Sequence, residues 1–367
     1  MKIFLIGEYP PPYGGVSIHI KRLYEKLKDK IFIEIFSTSN ERRENDGNII
    51  NKSIKKSILS IFFMKKNEIY HFHESSIKIV TLISIFSFIT RNKIILTIHN
   101  DRFEVNYNKA NFICQLIIRK FLKYITYIIL VGGNTKNFLL KCKTKNISII
   151  PGYINPTLNV KDYEKIDKNV WKFIKNARAK KYKIISANGN IRFFNKEDLY
   201  GLDLLIELTY LLKKNGYKVS LVFALLGYEN QSSDERNYFE KLLKKIRKYK
   251  IENYIFIYKV KNTEFYPILD KTDIFIRPTN TDSYGISVTE AIYLKKPAIA
   301  SDVCLRQEGT IYFKSRNITD LLEKTKFVLN NYDREKTKLE KIKIKEYYED
   351  VLEIYKKVYE GKNINEK

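Results

Sequence analysis

Short runs of β-branched and apolar residues recur along this chain with almost no polar interruption, each followed by a stretch of helical periodicity. KIFLIG (Lys2–Gly7), FIEIFS (Phe32–Ser37), EIYHFH (Glu68–His73), KIILTIH (Lys93–His99), YIILVG (Tyr127–Gly132) and ISIIPG (Ile147–Gly152) read as strands. A strand that is apolar at successive positions has to be covered on both faces, as in parallel sheets flanked by helices. Helices are expected at Val16–Lys28, Ile77–Thr90, Asn111–Tyr124 and Thr135–Cys142, with a polar loop over Asn40–Asn51. Residues 156–180 read as a lysine-rich connector with one short helix. The alternation then restarts, with strands at Lys183–Gly189, Val219–Gly227, Tyr254–Tyr258, Asp273–Pro278 and Pro297–Ser301. Helices are expected between them at Leu202–Asn215, Phe239–Lys250, Phe265–Lys271 and Ser287–Leu294, and Thr319–Asn330 and Lys338–Glu360 follow as the last two. For 367 residues, at about 150 per domain, the expected fold is α/β. Two tandem doubly wound parallel-sheet domains would face a cleft at the carboxyl ends of their strands, where such sheets bind ligands.

Composition removes several other classes. With 14 Gly, 8 Pro and 3 Cys, the chain is neither collagenous nor mucin-like nor a disulfide scaffold. Cys114, Cys142 and Cys304 lack metal-ligand spacing and read as buried thiols of a reducing cytosol. The longest apolar stretch, Ile79–Thr90, is too short for a bilayer span of about 20 residues. Ile3–Ile6 is too short for a signal-peptide core, so an integral membrane protein is not expected.

The net charge is +26, and its distribution says more than its size. Residues 51–150 hold 17 basic and 4 acidic side chains, a net of +13, whereas residues 1–50 net only +1. A basic face there suits anionic lipid or a phosphorylated substrate. Nucleic acid is not expected as a partner, because no stacking motif or reader fold accompanies the charge.

Three places carry residues with chemistry. GEYPPPYGGVSIHI ends the first strand; Gly14-Gly15 lets the backbone approach a ligand, and the helix N-terminus at Val16–Ser17 suits phosphate, although a plain strand-to-helix turn reads the same way. No G-x-G-x-x-G is present, which argues against a nicotinamide enzyme. Of four histidines, His73 and His99 fall at carboxyl ends of strands, facing the expected cleft, whereas His19 and His71 read as structural. No metal site is expected, since neighbouring carboxylates and thiols do not make ligand spacing. In RPTNTDSYGISVTEAIYLKKP, Asp282 and Glu290 bracket a glycine loop. Carboxylates there suit sugar hydroxyls, and Ser287-x-x-Glu290 equally matches a capping box.

GEYPPPYGGVSIHI, TIHN, IIPGYINP and, above all, RPTNTDSYGISVTEAIYLKKPAIASD resemble the family 4 retaining glycosyltransferases of the GT-B class, in order from residue 1 to about 330. The family's acidic pair is Glu, seven residues, Glu; here it is Asp282, seven residues, Glu290. The family's diphosphate-clamping Arg and Lys are replaced by Asn190, in ANGNIRF, and Tyr200, in DLYGLDLL, with Arg192 and Lys196 lying between them as substitutes. The resemblance implies two Rossmann-like domains, 1–170 for acceptor and 171–335 for nucleotide-sugar, with a C-terminal helical segment 336–367 crossing back to the first.

It further implies roles. Glu290 would hold ribose hydroxyls and Asp282 the donor sugar, both at the catalytic centre with His99 and Arg192. Gly14, Gly15, Asn190, Arg192, Lys196 and the amides of Gly285, Ile286 and Ser287 would surround the diphosphate. Tyr258–Val260 would frame the base, and His73 and His99 would lie on the acceptor side. A hexose would pass from a nucleotide-sugar, UDP-linked on family frequency, to a lipid-diphosphate-linked glycan, without metal or cofactor, at the cytoplasmic membrane face. Ile58–Met64, between Lys55-Lys56 and Lys65-Lys66, suits interfacial docking, or equally a buried amphipathic helix. Asn190 and Tyr200 favour the alternative of a non-catalytic GT-B-like binding subunit. Asp282→Asn and Glu290→Gln are expected to abolish transfer and leave the fold intact.

Overall fold

The computed structural model describes residues 1–39, 47–63, 65, 67–100 and 102–361. It divides into two compact units, Met1–Ile154 with Glu346–Lys367, and Asn155–Lys345. The first holds a seven-stranded parallel sheet of β1 (Lys2–Gly7), β2 (Phe32–Ser37), β3 (Ile49–Asn51), β4 (Glu68–His73), β5 (Ile94–Ile98), β6 (Tyr127–Leu130) and β7 (Ile147–Ile149), in the order β3-β2-β1-β4-β5-β6-β7. The period of two explains both its faces. Ile3 and Leu5 of β1 join one core with Ile20, Leu23, Ile35 and Ile69, while Phe4 and Ile6 join the other with Phe72, Val80, Ile83 and Leu96. Helix Gly15–Leu27 covers the first face and helix Ile77–Thr90 the second.

The second unit repeats the design with β8 (Lys183–Gly189), a hairpin of β9 (Phe193–Phe194) and β10 (Glu197–Asp198), β11 (Val219–Leu225), β12 (Ile255–Lys259), β13 (Ile274–Arg277), β14 (Ala298–Ser301) and β15 (Ile311–Phe313). Its main sheet runs β12-β11-β8-β13-β14-β15, all parallel. Val219, Leu221, Phe223 and Leu225 enter one core, and Val222 and Ala224 the other.

Several expectations need correction. The expected connector 156–180 is part of the second unit and holds two helices, Val160–Glu164 and Lys168–Ala179, the second of which buries Val170, Ile174 and Ala177 against Ile184 and Val222, so the division falls at 154/155 rather than 170/171. The long helix expected over Lys338–Glu360 is two, Tyr332–Glu340 and Tyr348–Glu360. The second of these packs Val351, Ile354, Tyr355 and Val358 into the first unit's core. Strands β3, β15 and the hairpin were not expected. The polar loop's residues 40–46 lie outside the described residues, as do Asp101, Met64, Lys66 and 362–367. Among the three cysteines only Cys142 is buried; Cys114 and Cys304 are half-buried. No helix among the described residues is long and apolar enough to cross a membrane.

Candidate functional site

Each unit gathers chemistry-bearing side chains at the carboxyl ends of its own parallel strands. In the first, the proline loop after β1 is held by hydroxyls: Ser39 Oγ donates to Pro11 O at 2.6 Å and Ser17 Oγ to Pro12 O at 2.6 Å. The helix starts at Gly15, one residue before the expected start, and Ser17 Oγ accepts from the Gly14 N–H at 2.8 Å. Neither glycine is required by packing. A side chain at Gly15 would meet no described atom within 4 Å, and one at Gly14 only Ser17 Oγ at 3.9 Å.

His19, expected to be structural, belongs with His73 and His99. The three rings form a triangle with centroids 5.1 to 5.3 Å apart, and His73 Nδ1 lies 3.0 Å from His99 Nε2. His19 Nδ1 donates to Gly152 O at 2.8 Å, which leaves its Nε2 with the lone pair when the ring is neutral. His71 holds structure instead: its two nitrogens meet Tyr355 Oη of the C-terminal helix at 2.6 Å and Thr97 Oγ1 at 2.7 Å. Burial, then the neighbouring imidazoles, hold His73 and His99 well below their ordinary value; burial holds His19 at about 4 and His71 at about 3. All four are therefore neutral at pH 7. One nitrogen from each of His19, His73 and His99 lies within 4.8 Å of the others, so this triad is the set of described residues able to take a metal ion. Spacing along the chain could not show it, because the fold brings together one helix and the ends of two strands.

In the second unit the unexpected feature is a pair of arginines. Arg277, ending β13, donates from Nε to Asp282 Oδ2 at 3.1 Å, and Arg306 donates from Nη1 to the same oxygen at 3.1 Å. Asp282 Oδ1 accepts the Ser283 N–H at 3.0 Å. Burial alone would raise the Asp282 carboxyl, but Arg277 and Arg306 outweigh it and hold it below the ordinary carboxylate range. This carboxylate, expected to face sugar hydroxyls, is thus engaged within the protein. Gly285 makes the arrangement sterically feasible: its φ is +76°, and a Cβ would stand 2.2 Å from Arg306 Nη1.

The remaining expected residues fall around this group. Gly285 caps helix Ile286–Tyr293 without a side-chain bond, so the Ser287–Glu290 capping box does not form there. Ser287 Oγ instead accepts from Asn188 Nδ2 at 3.1 Å, and Glu290 is buried on the same helix. Asn190 lies against Gly227 and the Tyr200 ring against Gly189, each filling space that a side chain on the glycine would need. Arg192 and Lys196 are exposed on the β9–β10 hairpin. Asp198 organises its exit, accepting N–H bonds from Tyr200 at 3.0 Å and Gly201 at 3.1 Å. Tyr258 is buried on β12, and the Val260 N–H already donates to Leu225 O at 2.8 Å, which leaves its carbonyl for any base.

Residues 167–345 match the family described as Glycosyl transferases group 1. No curated protein matches the chain by sequence. Among solved structures the chain is similar to Anabaena Alr3699/HepE in complex with UDP, at 11% identity and a TM-score of 0.64, over 98% of each chain. It is similar to a glycosyltransferase from Rickettsia africae at 16% identity and a TM-score of 0.64, over 97% of this chain and 98% of that one. Sucrose-phosphate synthase from Thermosynechococcus elongatus, 14% identical, gives a TM-score of 0.67 over 98% and 100%. At such identities the likeness is one of fold. The chain has the GT-B fold, and residues 167–345, within its second unit, match the glycosyl transferases group 1.

Proposed function

We propose that this chain is a retaining, metal-independent family 4 glycosyltransferase that moves a hexose from a UDP-sugar to a lipid-linked glycan in the building of a surface polysaccharide such as lipopolysaccharide or capsule. The observation that carries this reading is the second unit's constellation of Arg277, Asp282, Gly285 and Glu290 in the segment that matches the glycosyltransferase family. Glu290 would accept hydrogen bonds from the ribose. The amides of Gly285, Ile286 and Ser287, at the start of helix Ile286–Tyr293, would face the diphosphate. Asp282 is assigned to holding the arginines. His99, with His73, would stand on the acceptor side as a neutral hydrogen-bonding partner. In the transfer, the bond from the anomeric carbon to the phosphate oxygen breaks and the bond to the acceptor oxygen forms on the same face. The acceptor proton passes to the leaving phosphate oxygen, so no protein nucleophile is required. Fixed guanidinium charge would stabilise that leaving group, which removes the need for a divalent cation.

UDP is favoured as the nucleotide because Alr3699/HepE was solved with it. In a thermal-shift panel of UDP, GDP, dTDP, ADP and CMP, UDP alone is expected to raise the melting point, equally with Mg²⁺ or with EDTA. At a hundred times the Kd the gain is about 2.7 kcal/mol. No shift with any nucleotide would sink the reading. The alternative, a non-catalytic binding subunit, is favoured by Asn190 and Tyr200 serving as packing. It predicts the shift with UDP but no release of UDP from a UDP-sugar.

We also place the protein at the inner face of the plasma membrane. In the segment expected to dock, Ile58 and Ile61 are core residues, whereas Leu59, Phe62 and Phe63 are exposed, Phe63 by 87%. Phe112, Ile113 and Leu116 are exposed on helix Phe112–Phe121, which packs on helix Ile77–Thr90 as Ser60–Phe63 does. Lys55, Lys56, Arg119 and Lys120 are exposed on the same elements. This combination of apolar and basic side chains suits an anionic interface. Flotation with vesicles containing phosphatidylglycerol, but not with phosphatidylcholine alone, is the expected result, lost in Phe63→Asp/Phe112→Asp. Equal flotation of that variant would remove the docking assignment.

A further inference from the structure

Two guanidinium groups share one carboxylate at the end of β13, so the group carries more positive charge than Asp282 cancels. Arg306 is fully enclosed and fully engaged: Nε donates to Ser301 O at 3.2 Å, Nη1 to Asp282, and Nη2 to Thr279 Oγ1 at 3.2 Å. Arg277 differs. Its Nε donates to Asp282 and its Nη1 to Asn188 O at 3.1 Å, but its Nη2 has no hydrogen-bond partner among the described residues. The side chain is 13% exposed, and its guanidinium lies 5.1 Å from the centroid of the Tyr200 ring. A guanidinium cannot shed its proton, and a mostly buried one in excess of its counter-ions favours a nearby anion. Asn188, which receives Arg277 through O and Oδ1, also donates to Ser287 Oγ in the first turn of helix Ile286–Tyr293. The guanidinium is therefore tied, through Nη1 and Asn188, to a helix start that favours negative charge.

We propose that Arg277 binds the diphosphate of the nucleotide-sugar, supplying the charge that positions 190 and 200 lack. Tyr200 is the platform on which its guanidinium lies, and Asp282 and Asn188 are positioning residues that fix its fork. This inference rests on the donor-site reading above. It explains why an aromatic ring can stand at position 200: the ring orients a cation arriving from a neighbouring strand. It also gives Asp282 its use, since the planar guanidinium aims its remaining Nη2 donor at a phosphate only when the other two nitrogens are held in place.

The test is calorimetric titration of wild type, Arg277→Gln and Arg277→Lys with UDP and with uridine. Wild type should bind UDP far more tightly than uridine. Arg277→Gln should weaken UDP by roughly 10- to 100-fold and leave uridine unchanged, and Arg277→Lys should recover part of the difference. If wild type binds UDP and Arg277→Gln keeps the same preference over uridine, this inference is overturned and the donor reading stands. If wild type binds no nucleoside diphosphate, both fall together. Should Arg277→Gln fail to fold, wild type still decides: pyrophosphate should displace UDP and shield Arg277 from phenylglyoxal, read by mass spectrometry. Modification of Arg277 indifferent to pyrophosphate would overturn the inference.

Discussion

Lowering the pH from 7 to 5 is expected to unfold the first unit while the second stays folded. All four histidines of the chain, at 19, 71, 73 and 99, lie in the first unit, and all are held neutral. Their folded pKa values are depressed, to about 4 for His19 and about 3 for His71, against about 6.5 in an unfolded chain. Their contribution is thus complete above pH 6.5. It is lost as pH falls below that value, because the unfolded chain takes up protons that the native state refuses. Each histidine then loses up to about 1.4 kcal/mol per pH unit, or about 2 kcal/mol by pH 5. Four together reach the order of a domain's whole stability, about 5–15 kcal/mol. The second unit holds no histidine, and its Asp198 acts in the opposite sense. Burial, then Asp203, raises that carboxyl to about 6, against its backbone N–H donors, so its protonation as pH falls favours the native state. The chain's one tryptophan, Trp171, lies in the second unit, with Nε1 donating to Tyr163 O at 3.3 Å. Its emission should stay native at pH 5 while far-ultraviolet dichroism falls. Both signals moving together, or neither moving above pH 4.5, would refute the assignment.

Asp282→Asn is expected to destabilise the second unit by roughly 3–5 kcal/mol, the range for removing one partner of a buried ion pair. This departs from the expectation that the fold would be untouched. The amide removes the counter-ion of two guanidinium groups, and Arg306, with no exposed side-chain surface, has nowhere to turn. Urea denaturation followed by Trp171 emission reads the loss directly, and replacing Arg306 by Met in the same chain should restore much of it. A midpoint within about 1 kcal/mol of wild type would show that the ion pair carries little. Loss of transfer in Asp282→Asn alone would accordingly say nothing about contact with the sugar.

Much of the fold could be read from residues because the strands are covered on both faces, which leaves runs such as KIFLIG and VSLVFAL almost wholly apolar. What escaped was short and at edges: β3 and β15 have three residues each and carry too little pattern. The break in the expected Lys338–Glu360 helix did have a signal, overlooked beneath the helical reading. Lys341-Ile342-Lys343-Ile344-Lys345 alternates with period two, and Ile342 and Ile344 pack on the second unit's core. Glu290, Gly285 and His99 could be picked out as candidates from the residues because strand ends and glycine loops mark themselves. Arg277 and Arg306 were not, since their partnership spans 29 residues and exists only once β13 and the loop after β14 are in place. The meeting of His19 with His73 and His99 was not legible, because a histidine inside a helix gives no sign of what lies across from it.

Residues 1 and 361 belong to the same unit, and the other unit lies between Ile154 and Glu346 in the chain. At that junction the Tyr347 N–H donates to Tyr153 O at 3.4 Å, so the two interrupted ends of the first unit lie side by side. During synthesis, residues 155–345 emerge as one uninterrupted stretch and can fold on their own schedule. The earlier stretch waits, with Ile3, Leu5 and Ile69 lacking part of their cover and His71 lacking the hydroxyl of Tyr355, until residues 348–360 arrive. Of the two units, the one begun first on the ribosome is the one completed last.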